Sequence, residues 1–309
     1  MISIKGLTKR FGRTVALDGL SLEVEKGSVF GLIGPNGAGK TTAMSILATL
    51  QLPDGGTATV GGRDVVADPA GVRSLIGYMP DFFGVYDGLK VYEYLDFFAG
   101  AYYLPEAGRD RLIDVLMELV NLEGKKDCYV DLLSRGMKQR LALARCLVHE
   151  PEVLILDEPA SGLDPRARAE MKEIIRHLGR MGKTVLISSH ILPELAELCD
   201  RVAIMEKGRV VVSGTVDEVT AAGAGARMIA IEVLEGGGDL ARWLAQRDRV
   251  NVAEAGGRSV RVLFRGTRDE QGGLLKEIIA GGYVVTQFHE VRRNLEEIFM
   301  AVTGEVNGR

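Results

Sequence analysis

Cysteine is scarce in this 309-residue chain. Cys128, Cys146 and Cys199 are odd in number, far apart and never in C-x-x-C spacing, so neither a disulfide framework nor a zinc site is indicated. Long apolar runs are missing too; none approaches the ~18–20 residues of a membrane-spanning helix. A basic excess is also absent, with 38 Lys and Arg against 42 Asp and Glu, which argues against nucleic acid as a partner. Met1 to Arg13 alternates apolar and basic residues and holds no secretory apolar core. The expectation is a soluble, cytoplasmic chain that meets a membrane, if at all, through a partner. The remaining composition is ordinary for a globular protein, with room for one large or two medium domains.

Glycine, by contrast, is plentiful, and one cluster organises the rest. Gly34-Pro35-Asn36-Gly37-Ala38-Gly39-Lys40-Thr41-Thr42 completes the spacing G-x-x-x-x-G-K-[ST]. An apolar run (Ser28 to Ile33) precedes it and a helix-compatible run (Ala43 to Leu47) follows. Glycines let several backbone N–H groups point into one nest, and the following helix adds its unpaired amides and positive dipole end. Such a loop binds a polyphosphate, with Lys40 reaching the outer phosphates, Thr41 ligating Mg²⁺ and Thr42 a second hydroxyl nearby. The alternative, a glycine-rich turn beside an unrelated lysine, does not explain the strand–loop–helix order.

Along the chain, Ile2 to Leu22 reads as short strands about a turn at Arg10-Phe11-Gly12-Arg13. Phe11 in that turn suits either stacking on a base or ordinary core packing. Residues 82–149 carry helical periodicity, with a helix opening at Ser134 that places Met137, Leu141, Ala144 and Val148 on one face. Val153 to Leu156 is nearly continuous Val, Leu and Ile, a strand covered on both faces, and it ends in Asp157-Glu158. Two acids after such a run are costly without a cation, which outweighs reading Asp157 as a strand-end cap. Asp164-Pro165 is a helix start. Thr184 to Ser189 is a second buried strand, ending in His190. Residues 221–226 are small and unpatterned, a linker. Beyond them the order strand, helix, strand, strand, helix, strand is ferredoxin-like, with a closing helix at Leu295 to Thr303.

Phosphate loop, Asp81 after a proline, Leu133-Ser134-Arg135-Gly136-Met137, Leu156-Asp157-Glu158, Ser161 to Asp164 and Ser189-His190 stand in one order. Over about residues 2–220 this resembles the ATP-binding subunit of an ABC transporter. The resemblance implies an α/β P-loop NTPase core: a RecA-like sheet, an antiparallel β subdomain and a helical subdomain at 82–149, with residues 227–309 as a small α+β accessory domain. It implies that Phe11 stacks on adenine, that Asp157 holds Mg²⁺ through water, that Glu158 is the general base and that His190 contacts the γ-phosphate. Ser134 to Met137 resemble the signature that binds ATP held by a second copy, and Asp164 the residue coupling the two sites. ATP and Mg²⁺ are thus the expected ligands, with a second subunit and a membrane permease as partners on the inner face of the membrane.

Two departures stand out. Asp81 replaces a usual Gln, and Arg135 and Met137 replace a Gly and a Gln of the signature, implying a working site with altered metal dependence. Similar departures, and the ending Asn294 to Phe299 with Thr303-Gly304, resemble the branch exporting drugs, polysaccharides or antibiotics. Phe82 to Tyr86 suits a permease contact or the core of the helical part. Rival readings are a non-transport ABC ATPase, disfavoured by the single phosphate loop and lack of heptads, and a regulatory ATP-binding module with low turnover.

Overall fold

In a computed structural model of the chain, which describes residues 1–82, 84, 86, 88–190, 195, 197–222 and 227–291, the first two strands are longer than the sequence suggests. β1 (Ile2–Phe11) and β2 (Thr14–Val24) pair antiparallel, with register shifts near Gly6. Gly6 and Gly19 sit at φ 58° and 72°. Glycines that look like strand breaks instead absorb irregularities in one long ribbon. The turn narrows to Gly12-Arg13, so Arg10 and Phe11 belong to β1. β4 (Gly55–Val60) and β5 (Arg63–Asp64) complete this antiparallel sheet in the order β2-β1-β4-β5.

A second sheet has the order β10-β9-β3-β8-β7-β6. It comprises β3 (Val29–Ile33), β6 (Ile76–Met79), β7 (Val153–Leu156), β8 (Thr184–Ser189), β9 (Arg201–Glu206) and β10 (Arg209–Thr215). All are parallel except β10, which pairs antiparallel with β9 at the edge. Every residue of β3, β7 and β8 is buried, as expected where helices cover both faces of a parallel sheet. Helix α1 (Lys40–Leu47) follows β3, and its Met44, Ile46 and Leu47 join Ile4, Leu7, Leu20 and Phe30 in a core linking the two sheets. Helix α2 (Pro69–Leu75), N-capped by Asp68 with Pro69 in its first turn, leads into β6.

Between β6 and β7 lie α3 (Val91–Ala101), α4 (Arg109–Leu119) and α5 (Arg135–Leu147). α5 is not the one-faced helix its spacing suggests. Met137 is half-buried, whereas Gln139, Arg140, Leu143 and Cys146 are buried besides Leu141 and Ala144. The reason is its position: α3, α4, β6 and α6 (Pro165–Arg180) all pack on it.

The chain divides into two units, Met1–Val216 and Asp217–Arg309, four residues before the expected break at 220. Helix α7 (Val216–Ala222) runs into the expected linker, of which residues 223–226 lie outside the described residues. The second unit has β11 (Arg227–Val233), α8 (Gly237–Leu244), β12 (Val250–Gly256), β13 (Ser259–Phe264), α9 (Arg268–Ala280) and β14 (Val285–Val291). Its antiparallel sheet, β12-β13-β11-β14, is the split βαβ arrangement of the ferredoxin-like order. α9 starts four residues before the expected Gly272, because Thr267 and Glu270 form a reciprocal capping box that outweighs Gly272-Gly273. The closing helix at 295–303, and the export-like ending at 294–304, lie outside the described residues.

Candidate functional site

The loop from Gly34 to Gly39 can be built only from glycine at two points. A Cβ on Gly34 would lie 2.5 Å from the Met205 carbonyl oxygen, and one on Gly39 2.5 Å from that of Ala16. Gly39 also sits at φ 103° and Gly37 at 82°. Ala38 donates its N–H to Pro35 O, and Gly208, in the β9–β10 turn, donates to Ala38 O at 2.9 Å, bracing the loop from below. Pro35, Asn36 and Gly37 face solvent, Thr41 is exposed and Thr42 half-buried in the first turn of α1. That turn presents unpaired N–H groups, the requirement for holding phosphate. Lys40 is only 6% exposed. Its Nζ donates to Gly34 O at 2.7 Å and Pro35 O at 3.3 Å, and lies 3.6 Å from Glu158 Oε1.

The carboxyl ends of β7 and β8 meet that lysine. Asp157 is fully buried; its Oδ1 accepts from Ser188 Oγ at 2.5 Å, and its Oδ2 is buried without a hydrogen-bond partner. Glu158 sits at φ 49°, a left-handed backbone costing about 1–2 kcal/mol in a non-glycine residue. Its N–H donates to Ser188 Oγ at 2.9 Å, its Oε2 lies 2.8 Å from His190 Nδ1, and its Oε1 is buried without a hydrogen-bond partner. Asp157 Oδ2, buried with no hydrogen-bond partner, and Glu158 Oε1, met only by the Lys40 ammonium at 3.6 Å, make a spot that asks for a cation. Carboxylate and hydroxyl oxygens are also the donors Mg²⁺ prefers, completed by water and phosphate. Among the described residues no cluster of three or more His, Cys, Asp and Glu could hold a metal by itself.

Asp81 is exposed at the end of β6. Partial burial, then the charges of Asp157 and Glu158, raise its pKa above the usual carboxylate range, while Arg135 and His190 oppose the shift. Asp81 therefore shares an electrostatic environment with both acids. Phe82 beside it is 89% exposed, which removes the core alternative for that ring; Phe83 and Val85 lie outside the described residues. Tyr86 packs on Tyr94 and Phe97.

Ser134 N-caps α5, its Oγ accepting from Met137 N at 3.3 Å. Gly136 permits contact with α6, since a Cβ there would lie 2.8 Å from Ala167 Cβ. Arg135 and Gln139 both donate to Ser161 O, at 3.3 and 3.1 Å, and the Arg135 guanidinium takes the space a Cβ on Gly162 would need. Asp164 N-caps α6 through Ala167 N. Phe11 is 47% exposed at the end of β1 with Lys9 Nζ 5.5 Å above its ring, so it is not a core aromatic. The structure thus brings Lys40, Asp157, Glu158 and His190 into one corner. Ser188, which no motif marks, joins them; its one sequence signal is a hydroxyl directly after the aliphatic run Val185 to Ile187.

Residues 17–161 match the family model described as ABC transporter. The chain is 35% identical to a Nod factor export ATP-binding protein I of Ralstonia nicotianae, over 98% of this chain and 94% of that protein. It is 36% identical to the daunorubicin resistance ATP-binding protein DrrA3 of Streptomyces coeruleorubidus, over 98% and 96%. The chain belongs to the ABC transporter family. Among solved structures it is similar to an ATP-binding subunit of an ABC transporter, with 31% identity and a TM-score of 0.65, over 72% of this chain and 92% of that one. The chain is an ABC-type ATPase subunit. No helix among the described residues is long and apolar enough to cross a membrane.

Proposed function

We propose that two copies of this chain close on ATP and power export through a separate membrane permease. The observation that carries this reading is the corner where Lys40, Glu158 and His190 converge beside Asp157, whose Oδ2 is buried without a hydrogen-bond partner. Glu158 is the general base for the attacking water, held by His190 on one oxygen. Lys40 leaves its loop carbonyls for the outer phosphates, and His190 contacts the γ-phosphate. Asp157, Thr41 and Asp81 hold Mg²⁺, which supplies charge neutralisation on the phosphates. Gly34 to Gly39 and Thr42 cradle the phosphates, and Phe11 stacks on the base. Ser134, Arg135, Gly136 and Met137 serve the ATP of the other protomer, and Asp164 couples the two sites. A ligand bound only by the closed dimer favours closure by mass action, and hydrolysis releases it. The chain acts on the inner face of the membrane through its permease. The export names of its relatives support the direction.

Glu158→Gln tests the engine. Turnover by phosphate release falls about 10²–10⁴-fold while ATP still binds, and light scattering shows an ATP-dependent dimer. Near-normal turnover removes Glu158 from the chemistry; a saturated variant that stays monomeric removes the closing dimer.

A further inference from the structure

Ser188, the penultimate residue of β8, has a fully buried side chain and follows the aliphatic run Val185, Leu186 and Ile187. A hydroxyl in such a strand loses its water, and only hydrogen bonds offset that loss. It has two, to Asp157 Oδ1 at 2.5 Å and to the Glu158 N–H at 2.9 Å. The partners decide where its proton goes. A backbone N–H can only donate and an ionised carboxylate can only accept, so the hydroxyl donates to Asp157 and accepts from Glu158. One oxygen atom therefore grips both acids, on either side of one peptide bond.

Each grip has a consequence. Asp157 Oδ1 is committed, so Oδ2, buried and without a hydrogen-bond partner, is the oxygen left for a cation. Glu158 is anchored by its N–H in a left-handed backbone, with its two carboxylate oxygens 3.6 Å from Lys40 and 2.8 Å from His190. We infer that Ser188 is a positioning residue for hydrolysis: its hydroxyl selects the Asp157 oxygen left for the divalent ion and holds Glu158 in the turn that points its carboxylate at Lys40 and His190. The inference rests on the proposed roles of Asp157 and Glu158.

Ser188→Ala in the full chain removes the hydroxyl and little else. Turnover falls about 10–100-fold with the KM for ATP nearly unchanged, the usual scale for losing a group that orients a metal ligand. The Mg²⁺ concentration for half-maximal binding of a fluorescent ATP analogue rises about tenfold, while binding of that analogue in EDTA keeps its wild-type strength. A residue that merely fills space cannot give that split, because a loosened core weakens binding with and without Mg²⁺ alike. Unchanged turnover and Mg²⁺ requirement, or equal losses in Mg²⁺ and EDTA, overturn the inference. Asp157→Asn, run alongside, separates the claims. If it leaves the Mg²⁺ dependence intact, the reading of Asp157 has failed; if it abolishes that dependence and Ser188→Ala does not alter it, only the role of Ser188 falls. Should Ser188→Ala not fold, Ser188→Cys, similar in size with a weak donor, is judged by the same criteria.

Discussion

The two units of the chain bury different things. In Met1–Val216 the buried side chains include Lys40, Gln139, Arg140, Asp157, Thr184, Ser188 and Ser189. In the described part of the second unit no polar or charged side chain is buried. There Ile229, Ile231, Val260, Val262 and Phe264 face Leu240, Leu244, Leu274 and Ile278, while charges such as Arg261–Glu254 and Arg249–Glu270 pair at the surface. Both units have sheets covered by helices, so architecture does not separate them. The difference lies in what the strand ends carry. Burying polar groups costs free energy unless each finds a partner, so their concentration in one unit marks where ligand chemistry is concentrated.

Three substitutions bear on that contrast. Gly39→Ala has the largest expected effect: a Cβ 2.5 Å from Ala16 O, at φ 103°, forces the phosphate loop open. Nucleotide affinity falls at least about 100-fold, from the loss of several N–H contacts to phosphate, read by titration with a fluorescent ATP analogue. Wild-type affinity would mean that the loop's buried geometry is not what binds. Ile231→Ala is next. It removes a fully buried side chain from the second unit, at a cost of about 2–5 kcal/mol. Calorimetry should show the second unit melting earlier while ATP turnover at 25 °C stays within about twofold, since that unit supplies no buried polar group. A parallel loss of turnover would break the contrast.

Asp81→Asn has the smallest effect. The native pKa of Asp81 is raised, so its neutral form contributes stability below the unfolded carboxylate value of about 3.9. That contribution is lost as pH rises through the native value. At pH 7 the variant therefore gains stability, by less than about 1 kcal/mol because the side chain is exposed and screened. The gain vanishes near pH 3.5. Melting temperatures at the two pH values test it, and a larger gain at low pH would reverse the assigned electrostatics.

Much of the site is legible along the chain because its parts are local. A loop that curls on Gly34, Gly37 and Gly39, and a Val153–Leu156 strand ending in two acids, are patterns of neighbouring residues. So is the helix start at Asp164-Pro165, whose carboxylate caps α6. Ser188 is not legible in this way. Its meaning depends on residues 30 and 31 positions earlier, brought alongside by the parallel pairing of β7 with β8. The same holds for Arg135 and Gln139, whose shared acceptor, Ser161 O, lies on another segment. The full length of β1 and β2 is not legible either, because only pairing with a partner strand lets Gly6 and Gly19 serve as irregularities inside one ribbon.

By itself the order of residues determined the phosphate loop, the acids and histidine at strand ends, and the strand–helix succession of the second unit, because spacing and backbone preference act over a few residues. Only the tertiary structure decided which oxygens of Asp157 and Glu158 are occupied and which stand open. Hydrogen bonding across the sheet is a matter of distance in space, and no property of either acid alone carries it.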